Sequence, residues 1–207
     1  MLTEAQKDYL TELINIGVGQ GAASLSEMVG AKVRLKVPDI DVCQLNAMYK
    51  CLEKLNADKV SAVQQGFSGS LSGDAYLVFS HESAKNLAAK LLEEELDAES
   101  ADVQTEEVIT EVGNIIINSF LGLWSHIFPN HLNYEVPSYH LKSPDELFAD
   151  KLNCTSEERK HIVVSANAFF IVKDLEIVGT VLVVFELSSI EQLVGVVDKT
   201  VHNSCST

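Results

Sequence analysis

No two of the four cysteines, Cys43, Cys51, Cys154 and Cys205, stand in a C-x-x-C pair. Thiols scattered in this way argue against a structural zinc site and read as core or surface residues of a reducing compartment. The histidines are equally dispersed; His126 and His131 are five apart across Pro129 and share no helical face, so no metal site is expected. Basic residues are scarce, 15 Lys and Arg against 30 Asp and Glu, for a formal net charge of −15. That balance argues against nucleic acid or an anionic membrane as the main partner and favours a basic or cationic partner face. Long apolar runs are also missing. The longest uncharged one, 177–185, is too short to cross a bilayer and reads as a buried strand. The opening "MLTEAQKDYLTELIN" lacks the basic start and apolar run of a secretory signal. The expectation is a soluble, cytoplasmic protein.

Catalytic signatures of the common kinds are absent as well: there is no G-x-S-x-G and no H-E-x-x-H. The glycines of "GVGQGAAS", at 17, 19 and 21, suggest a phosphate loop. No strand precedes them, no Lys follows at P-loop spacing and a helical period runs through them. Small residues there read as a close helix contact.

What the chain does have is 207 residues, 46% of them apolar, enough for a sizeable core. In "EVITEVGNIIIN" (107–118) and just beyond, Val108, Val112, Ile115, Ile116 and Phe120 recur at steps of three and four, the mark of an amphipathic helix. Glu107, Glu111, Asn114 and Asn118 follow the same period and form a second, polar stripe. Residues three and four apart are neighbours on a helix, so Glu111 and Asn114 point the same way.

The motif occurs twice. "TELINIG" (11–17) repeats the skeleton of "TEVGNII" (110–116), Glu12 matching Glu111 and Asn15 matching Asn114 at an offset of 99. "KVPDI" and "EVPSY" keep that offset, so Pro38 and Pro137 each stand 23 positions after their asparagine. "SGDAYLVFS" and "VGTVLVVFE" then align Gly73 with Gly179 and Phe79 with Phe185 at an offset of 106, which places a seven-residue insertion near "SPDELFADKLNCTSEERK". A solvated face has no reason to keep the proline distance through a duplication; a shared fold does.

Each half reads as helix, strand, hairpin, helix. The first opens with a helix from about Thr3 to Met28, Thr3 and Gln6 having capping-box spacing. A strand "KVRLKVP", a short irregular or helical connection, a hairpin turning near Gly69 and a helix "HESAKNLAAKLL" follow. The second half has a helix over 100–128, a strand near "NYEVPSYHL", two strands "KHIVVSANAFFIVK" and "LEIVGTVLVVFEL", and a closing helix "SIEQLVGVVDK". The acidic stretch between the halves reads as a solvated linker and the charged start of a helix. The fold class is α+β: one domain over 1–207 made of two repeats, 1–98 and 99–207, its long motif helices packed on a mainly antiparallel sheet.

The pattern acid, three residues, Glu, two residues, Asn, twenty-two residues, Pro falls on Asp8, Glu12, Asn15 and Pro38 and again on Glu107, Glu111, Asn114 and Pro137. It resembles the signature of the CheC, CheX and FliY phosphatases of bacterial chemotaxis, which hydrolyse the aspartyl phosphate of the response regulator CheY. The first copy matches throughout; the second has Glu107 where that family has Asp or Ser. Two sites in a chain of this length look like CheC, and the resemblance implies halves related by a pseudo-two-fold axis.

It further implies that Asn15 and Asn114 orient the attacking water and that Glu12 and Glu111 pair with the regulator's active-site lysine. An Asn amide, with two donors and one acceptor, suits the first task, and phosphoryl transfer demands mainly positioning and charge stabilisation. Asp8 and Glu107 fall to docking, and Pro38 and Pro137 to structure. No cofactor of the chain's own is expected; the Mg2+ belongs to the phosphorylated CheY-type regulator. A CheD-type deamidase is the other partner the resemblance suggests. The alternative is a non-enzymatic chemotaxis adaptor that sequesters a response regulator or such a deamidase.

Overall fold

A computed structural model describes residues 3–37, 40–44, 48–97, 99–127, 132–152, 161–172 and 175–186, with isolated positions from 189 to 198. Thr3 caps the first helix, α1 (Glu4–Val29), through the reciprocal pair its spacing predicts: the Gln6 backbone N–H donates to the Thr3 hydroxyl, and the Thr3 N–H donates to the Gln6 side chain. Gly30, at φ 61°, ends the helix in the left-handed conformation that glycine adopts without a steric penalty.

The chain continues through β1 (Val33–Lys36), β2 (Ile40–Gln44), α2 (Met48–Glu53), β3 (Val60–Gly69), β4 (Gly73–Ser80) and α3 (His81–Leu92). It then runs through α4 (Ala101–Ile127), β5 (Leu132–Tyr134), β6 (Ser138–Lys142), α5 (Pro144–Leu147), α6 (Ala149–Leu152), β7 (His161–Val172) and β8 (Leu175–Glu186). The expected closing helix after β8 lies largely outside the described residues. Two expectations need amending. The link after β1 contains a strand, β2, and the single strand expected near Tyr134 is two, β5 and β6, parted at 135–137. All three are short edge strands formed by pairing with a distant partner, which local propensity does not reveal.

Among the described residues, eight strands form one sheet with the path β1-β7-β8-β4-β3-β5, and every pairing is antiparallel. β2 lies beside β7 and β6 beside β3. The outer edge of β7 is therefore covered by β1 and β2 from the first part of the chain. The outer edge of β3 is covered by β5 and β6 from the second.

Side chains alternate across the sheet. On one face Val63, Phe67, Leu77, Phe79, Val183 and Phe185 join the inner sides of α1, α3 and α4 in the main core. On the other, Tyr76, Val78, Leu182 and Val184 pack with Leu52 of α2 and with Leu147 and Phe148 beside α5. The long helices are thus held on one side only. By length and composition α4 could cross a membrane, but Ile109, Val112, Ile116, Phe120 and Trp124 are buried against α1, α3 and the sheet.

Two glycines set how closely α1 approaches α4. A Cβ on Gly17 would stand 2.5 Å from Phe120 Cα, and one on Gly21 would stand 2.8 Å from the Ile116 side chain. A Cβ on Gly19 would meet nothing within 4 Å. The "GVGQGAAS" stretch is the close helix contact the sequence suggests. Gly113 plays the same part for α4 on the sheet, where a Cβ would collide with Val63.

Candidate functional site

On α1 the motif side chains of Asp8 and Glu12 are exposed and Asn15 is half-buried; on α4 Glu107 and Glu111 are exposed and Asn114 is half-buried. The structure therefore lays each triplet along the outer side of its helix. Among the described residues none of the four carboxylates has a hydrogen-bond or ion-pair partner. α4 carries Asp102, Glu106, Glu107 and Glu111 and no Lys or Arg. Unpaired carboxylates on a helix that has no base of its own suit a cation brought by something else.

The two asparagines differ in what they hold. Asn15 grips the backbone of Val37 with both ends of its amide: its Nδ2 donates to Val37 O at 2.8 Å, and Val37 N donates to its Oδ1 at 3.1 Å. Val37 is 1% exposed, so these bonds satisfy backbone groups that β1, ending at Lys36, no longer serves. This contact gives the asparagine-to-proline distance a physical sense. The residue before a proline is confined to extended backbone, and Val37, in that place, is what Asn15 holds. Pro38 itself lies outside the described residues.

Asn114 is bound otherwise. Its Oδ1 accepts from Asn118 Nδ2 at 2.6 Å, and its own NH2 group has no partner among the described residues. The segment before Pro137 is tied down by β3 instead: Gln65 Nε2 donates to Glu135 O at 3.1 Å, and Glu135 N donates to Gly66 O at 2.9 Å. Val136, in Val37's place before the proline, is 87% exposed. Asn118 and Gln65 are joined as well, Gln65 Nε2 donating to Asn118 Oδ1 at 3.0 Å. Sequence reasoning saw Asn118 in the polar stripe but gave it no task, and it missed Gln65 and Val37. No local motif marks a β-strand glutamine that meets a helix 53 residues later.

The start of α4 is pinned to α3. Asp102 accepts from Lys85 Nζ at 2.7 Å and lies 3.3 Å from His81 Nε2. The Lys85 hydrogen bond, opposed by desolvation, holds the Asp102 carboxyl below its usual range, with the charge of Lys85 and the contact with His81 adding to the effect. His81 Nδ1 in turn lies 2.9 Å from Ser61 Oγ, which is 2.8 Å from the Tyr139 hydroxyl. Ser, His and Asp in a row suggest a nucleophile, but Ser61 is 0% exposed and no substrate can reach it. The chain is a tether between α3, α4, β3 and β6. Burial raises the Tyr139 pKa, opposed by its bond to Ser61. No group of three or more His, Cys, Asp or Glu able to hold a metal occurs among the described residues.

The family model described as "Chemotaxis phosphatase CheX" matches residues 61–159, a span that includes Glu111, Asn114 and Pro137 and leaves α1 outside. The CheY-P phosphatase CheC of Bacillus subtilis is 22% identical over 172 residues, 82% of each chain. Among solved structures, Thermotoga maritima FliY superimposes with a TM-score of 0.70 at 18% identity, over 96% of this chain and 98% of that one. The middle domain of FliM from H. pylori gives 0.60 at 12% identity, over 94% and 99%. CheX from a CheX–CheY–BeF3–Mg2+ complex of Borrelia burgdorferi gives 0.54 at 18% identity, over 85% and 99%. The fold is the α+β fold with a curled antiparallel sheet that these proteins share. Within that class, the chain is similar to the CheC, CheX and FliY proteins, by a family match over its middle and by likeness to a CheC over most of its length.

Proposed function

We propose that the chain is an aspartyl-phosphate phosphatase acting on a CheY-type response regulator, with the α4 pair Glu111 and Asn114 as its main working site. The observation that carries this reading is the state of Asn114: one turn from a carboxylate that is unpaired among the described residues, its oxygen held and its NH2 group without a partner among them, on the outer side of a helix whose other side is locked into the core. The likeness to a CheC that acts on CheY-P, and to a CheX crystallised with CheY, BeF3 and Mg2+, supports it.

In this reading Glu111 pairs with a lysine of the regulator and fixes its approach. Asn114 holds a water in line with the phosphorus. The water oxygen forms a bond to phosphorus as the phosphorus–oxygen bond to the aspartate breaks, leaving a carboxylate and inorganic phosphate that keeps the water's two hydrogens. The reaction asks for positioning more than covalent help, and one amide can supply it. The regulator's Mg2+ neutralises the phosphoryl oxygens; the chain brings no cofactor of its own. Glu107, one turn before Glu111, serves docking, and a cytoplasmic location belongs to the same proposal.

The α1 motif takes a smaller share. Among the described residues Glu12 is as unpaired as Glu111, and in this reading Asp8 serves docking, but the Asn15 amide is occupied by Val37. That occupancy also favours the second reading for α1, a docking surface without turnover, on which a regulator or a CheD-type deamidase would be held rather than hydrolysed.

The test is the decay of a phosphorylated CheY-type regulator with catalytic amounts of the chain. Acceleration that Asn114→Ala and Glu111→Ala each remove is the expected result. Binding without acceleration would leave only the adaptor.

A further inference from the structure

Amide orientation on α4 is dictated from the backbone outward. Glu135 O can only accept, so the Gln65 end facing it must be Nε2. The same Nε2 then meets Asn118, which must answer with Oδ1. That turns Asn118 Nδ2 toward Asn114, which answers with Oδ1 in its turn. Each amide fixes the next, and the last is left with its NH2 group directed away from the relay.

The arrangement has a cost at its buried end. Gln65 is 3% exposed, and its Oε1 is buried with no partner among the described residues, a loss of roughly 1–3 kcal/mol for an orphaned acceptor. α1 has no such relay. At the offset of 99 that relates Asn15 to Asn114, the position of Asn118 is Gly19, beside which a Cβ would meet only open space. There Asn15 itself holds the residue before the proline.

We propose that Asn118, aimed by Gln65, is a positioning residue that holds the Asn114 amide with its NH2 group outward. This rests on the reading of Asn114 as the group that holds the attacking water. An outward N–H donates to the water oxygen, leaving another lone pair for phosphorus, and faces the anionic phosphoryl oxygens with positive charge. A flipped amide would face them with its oxygen and repel them.

The test compares Asn118→Leu, close in size to asparagine but unable to bond, with Asn118→Asp, which can accept from Gln65 but cannot donate. Asn118 is on the exposed side of α4, so both variants should fold. The full chain is assayed against a CheY-type regulator phosphorylated by acetyl phosphate with Mg2+. With Leu the Asn114 amide is free to sample both orientations, and kcat should fall by a few-fold at unchanged KM. With Asp the amide is drawn into the wrong orientation, and kcat should fall by about tenfold or more. The Asn114 side-chain NH2 resonances, identified by their loss in Asn114→Ala, should shift in both variants. Equal kcat in the Leu and Asp variants, or unmoved resonances, would overturn the proposal. Wild-type chain that accelerates decay while both Asn118 variants match it would overturn the relay alone. Wild-type chain that does not accelerate decay would overturn the phosphatase reading and the relay with it.

Discussion

Asn15 and Val37 hold one another through two hydrogen bonds, so the asparagine of the first motif is a structural clip across 22 residues of chain. Asn114 makes no such contact. Asn15→Ala would leave the N–H and C=O of a buried Val37 unsatisfied and should lower stability by roughly 2 kcal/mol. Asn114→Ala should change stability by less than about 0.5 kcal/mol while reducing turnover at its own site by on the order of a hundredfold. Denaturant midpoints and regulator dephosphorylation, measured on both variants, check the division. Two variants with the same profile would contradict it.

Gly17 and Gly19 are two residues apart on α1 and so face nearly opposite sides of the helix. Gly17→Ala places a methyl group 2.5 Å from the Phe120 backbone and must push α1 off α4, at a cost of about 1–3 kcal/mol or more. Gly19→Ala meets nothing and should stabilise α1 by up to about 1 kcal/mol through helix propensity alone. Thermal unfolding of the pair reads opposite signs.

Removing the capping hydroxyl by Thr3→Ala should cost about 1 kcal/mol. The Gln6 amide also reaches Asp198 Oδ1 at 2.7 Å, so Gln6→Ala should cost more than the cap alone. Urea titrations of the two single variants rank them.

His140 of β6 is held below the usual histidine pKa of 6.5, by burial first and by Lys142 second. Above pH 6.5 the ring is neutral in both the folded and unfolded chain and contributes no pH dependence. As the pH falls below 6.5 the unfolded chain takes up the proton first, so stability declines toward the lower folded pKa. His140→Gln should therefore narrow the difference in Tm between pH 7.5 and pH 5.5. The contributions of Asp102 and Glu146, both held below their usual ranges, are lost only in the more acid window below their unfolded values of about 4.

The long helices, the first hairpin and the capping box were legible because each is written in a local period or spacing: α3 begins and ends where "HESAKNLAAKLL" does. The placement of Glu12, Asn15, Glu111 and Asn114 on outer helix sides was legible for the same reason. β2 and the division of β5 from β6 were not, because short edge strands are decided by the partner strand that receives them. Nor was the difference between the two asparagines. The motif is the same in both copies; what separates them is a glutamine on β3, a glycine in place of Asn118, and whether the residue before the proline is buried or stands at 87% exposure. None of these lies within the motif.

The sheet makes one last point. β1 and β2 complete the edge of β7, while β5 and β6 complete the edge of β3. Each part of the chain closes the open edge of the other, as two hands clasp. A protease that cut between α3 and α4 would sever the chain without releasing either piece, since both would still share the β4–β8 ladder and two exchanged edges. Either fragment made alone would present unpaired strand edges and would associate with whatever could cover them.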